Sequence, residues 1–208
     1  MNPEPDTPAP SPAPPDAVGA APAAPAARPA VAALLTAAPV APAAAAPRRA
    51  TARFMLRNVG HFVALGFGSG LSPVAPGTAG TLYGWLLFVV LDMWLTPVQW
   101  GVLIAVGFVA GIWLCGRTAR ALNTQDPSAV VWDEIVAFWA VLWLITPASL
   151  LAQALAFALF RFFDAAKPGP VGWADRTFHG GFGIMFDDAL AAGCTLLVWA
   201  VGVRLWGA

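Results

Sequence analysis

Four long apolar stretches alternate with polar segments along most of the chain. They cover roughly residues 79–95, 98–115, 135–163 and 189–206. The first two and the last are about 17–18 residues long, near the lower limit for a helix that crosses the hydrocarbon core of a bilayer. None shows the alternation of apolar and polar residues that is typical of a strand. The pattern predicts an all-α protein, a polytopic bundle of helices embedded in a membrane.

The third apolar stretch, IVAFWAVLWLITPASLLAQALAFALFRFF, is longer than the others. Its 29 residues are too many for one comfortable span and too few for two complete ones. Thr146-Pro147-Ala148-Ser149 lies near its middle, where proline disrupts a helix. The stretch therefore forms either one kinked, tilted helix or a hairpin of two short helices that returns to the same face.

The positive charges favour the hairpin. If the Arg-rich segment before the first stretch is cytoplasmic, Arg117 and Arg120 also lie inside after two spans. A single third span would place Arg161, Lys167 and Arg176 outside, against the positive-inside tendency. We therefore predict about three spanning helices plus a Pro-broken helical hairpin. This topology brings three polar segments to one cytoplasmic face: 66–78, 132–134 and 161–188.

Composition supports a membrane domain preceded by a different kind of segment. The chain is 59% hydrophobic and only 11% charged, against about 25% charged residues in soluble domains. Residues 1–50 are rich in Pro and Ala and predict a disordered tail; residues 51–208 form the predicted membrane domain. The formal net charge is zero, so no basic field indicates a nucleic-acid partner.

Five acidic residues adjoin the apolar stretches: Asp133, Glu134, Asp164, Asp187 and Asp188. Crowded carboxylates repel one another, and a divalent cation removes that repulsion. Oxygen donors without a Cys/His cluster suit Mg²⁺. The alternative is structural: the two acidic pairs cap helices, and Asp164 forms an ordinary ion pair with Arg161 or Lys167. The residues alone leave both interpretations open.

Basic and hydroxyl side chains supply candidate phosphate ligands. Arg161, Lys167 and Arg176 can bind phosphate oxygens, and His179 can donate a proton to a leaving alkoxide. In the loop GFGSGLSPVAPGTAG, Ser72 and Thr78 can donate hydroxyl hydrogens to an anion. The alternatives are positive charge that sets topology, and Thr78 as a helix cap.

Three segments together resemble the phosphatidylglycerophosphatase A family. They are GLSPVAPGTAGTL at 70–82, WDEIVAFW at 132–139 and FRFFDAAKPGPVGWADRTFHGGFGIMFDDALAAG at 160–193. The resemblance covers about 54–208. It implies a multi-pass, Mg²⁺-dependent lipid phosphatase of the bacterial inner membrane, with an active site facing the cytoplasm. Its reaction would convert phosphatidylglycerophosphate to phosphatidylglycerol and inorganic phosphate in phospholipid biosynthesis.

The resemblance does not say which carboxylates bind metal, so the roles follow from chemistry. The predicted metal ligands are Asp133, Glu134, Asp164, Asp187 and Asp188. The predicted catalytic residues are Asp164, His179 and Asp188, and the predicted substrate-binding residues are Ser72, Thr78, Arg161, Lys167 and Arg176. The partners are a phospholipid and the bilayer. The alternative function is a non-enzymatic ion carrier or structural membrane subunit, because acids beside a broken helix also mark ion pathways.

Overall fold

The computed structural model describes residues 46–206, and these form helices without any strand. The predicted all-α class is confirmed. Of the predicted tail only residues 46–50 are described, so its disorder and the domain division stay predictions. The elements are α1 Ala52–Met55, α2 Val59–Ala64, a 3₁₀ segment Gly66–Leu71, α3 Pro76–Leu91, α4 Pro97–Ala121, α5 Trp132–Ile145, α6 Leu150–Ala166, α7 Pro170–Thr177 and α8 Gly180–Trp206.

Helix α5 is the central helix of the bundle. It packs against α3, α4 and α8, and most of its apolar side chains are buried. Its two inner indoles are hydrogen-bonded at glycines of the neighbouring helices. Trp132 Nε1 donates to the Gly107 carbonyl at 3.0 Å, and Trp139 Nε1 donates to the Gly84 carbonyl at 2.8 Å. These bonds satisfy polar groups that burial would otherwise leave unpaired.

Helices α4 and α8 cross with their backbones in contact. A Cβ added at Gly181 would collide with the Ile112 carbonyl, and one added at Gly116 would lie 3.0 Å from the Cα of Gly181. Small residues at a crossing allow helices to approach closely, which is common in membrane bundles. The crossing fixes the first turn of α8 against α4.

Two of the described helices, α4 and α8, are long and apolar enough to cross a membrane. Only 22% of the most apolar window of α4 is buried, and 39% of that of α8. A core helix of a soluble protein would bury most of such a surface, so the exposed apolar faces indicate membrane association. Helix α3 is apolar but has only 16 residues. Two helices thus pass this test, against about three predicted spans.

The long third stretch is a hairpin of two helices. Helix α5 ends at Ile145, and Ser149 caps α6 by accepting a hydrogen bond from the Ala152 amide at 3.2 Å. The end of α6 returns to the beginning of α5, since Arg161 Nη1 lies 3.6 Å from Glu134 Oε1. The alternative of one kinked helix is therefore excluded.

Candidate active site

A cavity of about 300 Å³ lies where the beginnings of α3 and α5 meet the end of α6 and the first half of α8. Its wall carries most of the acidic residues of the helical bundle and two basic residues. The titratable residues in this wall are Asp126, Asp133, Glu134, Arg161, Asp164, Lys167, Asp187 and Asp188. Four elements that are distant in sequence thus contribute to one polar chamber, which we call the carboxylate cavity.

Three carboxylates form the centre of the carboxylate cavity. One oxygen from each of Asp133, Glu134 and Asp188 lies within 4.8 Å of the others. The described residues offer no hydrogen-bond partner to three buried oxygens: Asp133 Oδ1, Glu134 Oε2 and Asp188 Oδ2. Burying unpaired carboxylate oxygens is costly. These three side chains therefore fit a divalent cation such as Mg²⁺, which would supply the missing partner.

The acids of this cluster lie at different positions along the two helices that carry them. Helix α5 begins at Trp132, so Asp133 and Glu134 lie in its first turn. Helix α8 begins at Gly180, which places Asp187 and Asp188 about two turns inside the helix. The interpretation of Asp187-Asp188 as a helix cap is therefore wrong. Both side chains point instead into the interior of the bundle, where they are buried.

Arg161 connects α6 to the carboxylate cluster. Its guanidinium forms an ion pair with Asp164 one turn later on α6, and Nη1 donates to Thr81 Oγ1 at 3.4 Å. Its Nε atom is buried without a hydrogen-bond partner among the described residues. Asp164 is thus charge-compensated by Arg161, while part of the guanidinium remains available to an anion beside the cluster.

Lys167 joins α6 to the two elements that follow. It ends α6 in the left-handed conformation, with φ of 45°. Its Nζ donates to Asp175 Oδ1 at 2.5 Å and to Asp187 Oδ2 at 2.7 Å. Burial lowers the pKa of Lys167, but the hydrogen bonds to Asp175 and Asp187 outweigh it, so the net pKa is raised above its ordinary value. Lys167 is therefore charged, and its ion pair with Asp187 compensates the charge of that carboxylate.

A second cavity, of about 200 Å³, adjoins the first. His179 and Asp175 line it, and it shares Asp126 and Asp187 with the carboxylate cavity. His179 is exposed and is not part of the carboxylate wall. His179 thus lines a cavity that shares two carboxylates with the carboxylate cavity.

Comparison with known proteins identifies the family. The family model described as "Phosphatidylglycerophosphatase A" matches residues 62–203. The Escherichia coli K12 protein of that name is 38% identical over 145 residues, 68% of this chain and 82% of that protein. The Haemophilus influenzae protein of the same name is 40% identical over 154 residues, which are 74% of this chain and 94% of that protein. The chain belongs to the phosphatidylglycerophosphatase A family.

This family assignment confirms the predicted resemblance and identifies the chain as an enzyme. A third relative, from Bacteroides thetaiotaomicron, is 39% identical over 146 residues, 67% of this chain and 90% of that protein. It is named as a candidate phosphatidylinositol-3-phosphatase. No solved structure matches the chain. The family match includes every residue that lines the two cavities.

Three of the predicted substrate-binding residues lie outside the carboxylate cavity of this family member. Ser72 donates its hydroxyl to the Val74 carbonyl at 2.8 Å. Thr78 does not line the cavity, and α3 is preceded by Ala75 in the left-handed conformation, so Thr78 is not its cap. Arg176 is exposed on α7 and has no ion pair among the described residues.

The first turn of α3 contributes a glycine to the cavity wall, where the sequence predicted the side chains of Ser72 and Thr78. A Cβ at Gly77 would collide with Glu134 Oε1 and would lie 2.9 Å from Arg161 Nη2. The beginning of α3 therefore approaches the carboxylate cluster as closely as backbone can. The glycine-rich composition of 66–78 is typical of such an approach, but the sequence did not single out Gly77.

Asp126 is a second cavity residue that the sequence pattern does not single out. It lies in the polar loop between α4 and α5 and lines both cavities. It adjoins no apolar stretch and belongs to no acidic pair. No pattern in the sequence therefore distinguishes Asp126 from a solvated loop residue.

Proposed function

We propose that this enzyme hydrolyses phosphatidylglycerophosphate to phosphatidylglycerol and inorganic phosphate with Mg²⁺ in the carboxylate cavity. One observation carries the proposal. In a chain of this family, three carboxylates that can each bring an oxygen within 4.8 Å of the others also each carry a buried oxygen without a partner, and a partly unpaired guanidinium lies beside them. Acids for a cation and a base for phosphate thus occur in one chamber, which is the arrangement that phosphoryl transfer requires.

Asp133, Glu134 and Asp188 are the proposed metal ligands. Mg²⁺ held there would withdraw charge from the phosphate and activate water for attack on phosphorus. Asp164, predicted as both a ligand and a catalytic residue, is paired with Arg161; its proposed role is to orient that guanidinium beside the cluster. Asp187 is bound by Lys167 and in our proposal fixes the lysine.

Arg161 and Lys167 are the proposed phosphate-binding residues. The Arg161 side chain has an unpaired buried Nε donor, which can hydrogen-bond a phosphate oxygen with charge assistance. Lys167 uses two of its three N–H donors on Asp175 and Asp187, which leaves the third for the substrate. Both cations balance negative charge on the equatorial phosphate oxygens.

His179 is the proposed acid for the leaving group. Breaking the phosphorus–oxygen ester bond leaves a glycerol alkoxide that must take up a proton. His179 lines the cavity that adjoins the carboxylate cavity, and Arg161 does not line that second cavity. Ser72, Thr78 and Arg176 lie outside the carboxylate cavity, so any contact with the substrate would involve parts of the lipid beyond the terminal phosphate.

The proposed location is the bacterial inner membrane, with the cavity open to the cytoplasm. The exposed apolar faces of α4 and α8 support a bilayer environment. Arg117 and Arg120, in the last turns of α4, adjoin the loop of Asp126, so positive charge collects at the end of the bundle where the cavity lies. The lipid headgroup would then enter from the cytoplasmic leaflet.

Phosphate release from defined lipids tests the proposal. The full chain, purified in detergent, is expected to release phosphate from phosphatidylglycerophosphate with Mg²⁺ and to stop when EDTA removes the cation. Phosphatidylinositol 3-phosphate serves as a competing substrate, because one relative carries that substrate in its name. Faster release from this lipid would replace the proposed substrate, and release unaffected by EDTA would contradict the metal site.

A further inference from the structure

A third cavity borders the carboxylate cavity on the side of the polar loops. It encloses about 660 Å³. It shares Pro76, Asp126 and Ser128 with the carboxylate cavity, so the two are adjacent. Its outer wall contains Arg48 and Arg49, and we call it the arginine cavity. The family match begins at residue 62, so these arginines lie outside the part of the chain that the family model describes.

The segment that carries the arginines is attached to the bundle. The Arg48 amide donates to the Leu122 carbonyl at 2.8 Å, at the end of α4. Asn123 Nδ2 donates to the Ala46 carbonyl at 3.4 Å. One backbone hydrogen bond and one side-chain hydrogen bond thus hold this segment beside the loop of Asp126. Both arginine side chains are exposed, and neither forms an ion pair with a described residue.

Across the two cavities, basic side chains are followed by one acidic side chain and then by the carboxylate cluster that is proposed to bind a cation. The arginine cavity supplies two guanidinium groups, Asp126 lies at the boundary, and the carboxylate cluster lies beyond it. A phosphorylated glycerol headgroup has the complementary order. It carries a phosphodiester, a secondary hydroxyl and a terminal phosphomonoester, and the hydroxyl can donate to a carboxylate while guanidinium binds phosphate.

We propose that the arginine cavity binds the phosphodiester of the substrate through Arg48 and Arg49. Asp126 accepts a hydrogen bond from the substrate hydroxyl that lies between the two phosphates. This inference rests on the proposed function for the identity of the lipid. It makes the two arginines specificity-determining residues, because a lipid whose only phosphate is the terminal monoester cannot reach both cavities. It also gives Ser72, which lines the arginine cavity, a place near the substrate.

Binding of a soluble headgroup tests this inference without turnover. The ligand is an analogue of glycerol 1,3-bisphosphate in which a phosphonate replaces the terminal phosphate, and the reference ligand lacks the other phosphate. Titration calorimetry on the full chain in detergent with Mg²⁺ compares the wild type with Arg48→Ala/Arg49→Ala. We expect the double variant to weaken binding of the two-phosphate ligand at least about tenfold, because hydrogen bonds to charged groups contribute on that order. Binding of the reference ligand should not change.

The matched control is Arg53→Ala/Arg57→Ala. These residues are also exposed and lie close in sequence, but they do not line the arginine cavity. Equal weakening by both double variants would indicate general surface charge and would overturn the inference. Unchanged binding in the Arg48→Ala/Arg49→Ala variant, or equal weakening for both ligands, would also overturn it.

Kinetics separate this inference from the proposed function. With phosphatidylglycerophosphate in mixed micelles, Arg48→Ala/Arg49→Ala should raise KM about tenfold with little change in kcat. With phosphatidate, which has no phosphodiester, neither constant should change. A wild type that fails to hydrolyse phosphatidylglycerophosphate would contradict the proposed function, while the calorimetric difference would still decide whether the arginine cavity binds a second phosphate.

Discussion

The three central carboxylates carry more negative charge than the surrounding side chains compensate. Arg161 lies 3.6 Å from Glu134 and pairs with Asp164, and Lys167 is occupied by Asp175 and Asp187. Among residues 46–206, no basic side chain pairs with the unpaired oxygens of Asp133 and Asp188. The described side chains therefore leave this cluster with negative charge that the proposed cation would compensate.

Asp188→Asn is the most direct test of this dependence. Replacing one carboxylate oxygen with an amide nitrogen removes a ligand, and we expect phosphate release to fall by more than about a hundredfold. The control is Asp92→Asn at the other end of α3, where Asp92 accepts a hydrogen bond from Trp100 Nε1 at 2.9 Å. Comparable losses in both variants would contradict a specific role for Asp188.

Gly77→Ala tests the close approach of α3 to the cluster. The added methyl group would meet Glu134 Oε1 and Arg161 Nη2, so we expect activity to fall at least about tenfold through displaced ligands. The control is Gly193→Ala in α8, where an added Cβ meets nothing within 4 Å. Activity assays with both variants check this; full activity of Gly77→Ala would show that the approach is unimportant.

Among the elements, α5 contributes most to the position of the site. It carries Asp133 and Glu134 and is held by indole hydrogen bonds to α3 and α4. The break after α5 was predictable, because proline disrupts a helix by its own covalent structure. The beginning of α8 at Gly180 was not predictable from the sequence. Glycines usually predict a loop, and here the contact of Gly181 with α4 outweighs that preference.

Trp139→Phe tests the bond between α5 and α3. It removes the indole N–H that donates to the Gly84 carbonyl and leaves that acceptor buried, so we expect a loss of about 1 kcal/mol in unfolding free energy. Thermal unfolding in detergent measures the change. Trp113→Phe is the control, since the Trp113 side chain is 57% exposed. An equal shift of the unfolding temperature in both variants would show that the smaller aromatic ring, and not the lost hydrogen bond, causes the change.

At the scale of the whole molecule, the predicted hairpin topology explains why distant acids meet. The sequence was sufficient to predict that 132–134 and 161–188 share a face, because charge and helix length restrict the topology. It was not sufficient to find Asp126, whose position depends on how one loop folds over the cavity. Nor did it separate Asp187, which Lys167 binds, from its neighbour Asp188.

Cysteine labelling tests the topology. In a chain with both native cysteines replaced, Thr177→Cys after Asp175 should react with a membrane-impermeant thiol reagent only from the cytoplasmic side. Met93→Cys, in the turn between α3 and α4, should react only from the opposite side, since the Met93 side chain is 74% exposed. Labelling of both positions from one side would contradict the proposed arrangement of spans.

The unpaired carboxylates also affect the stability of the folded protein, in the opposite direction from their proposed effect on activity. If the proposed metal site is correct, burying Asp133, Glu134 and Asp188 together without a cation costs stability, and the site would favour catalysis at the expense of the fold. The Asp188→Asn substitution, which we expect to slow turnover, should therefore raise the unfolding temperature in EDTA, and Mg²⁺ should raise it mainly in the wild type. On the proposed function, removing the cation would then cost the enzyme folded protein as well as activity.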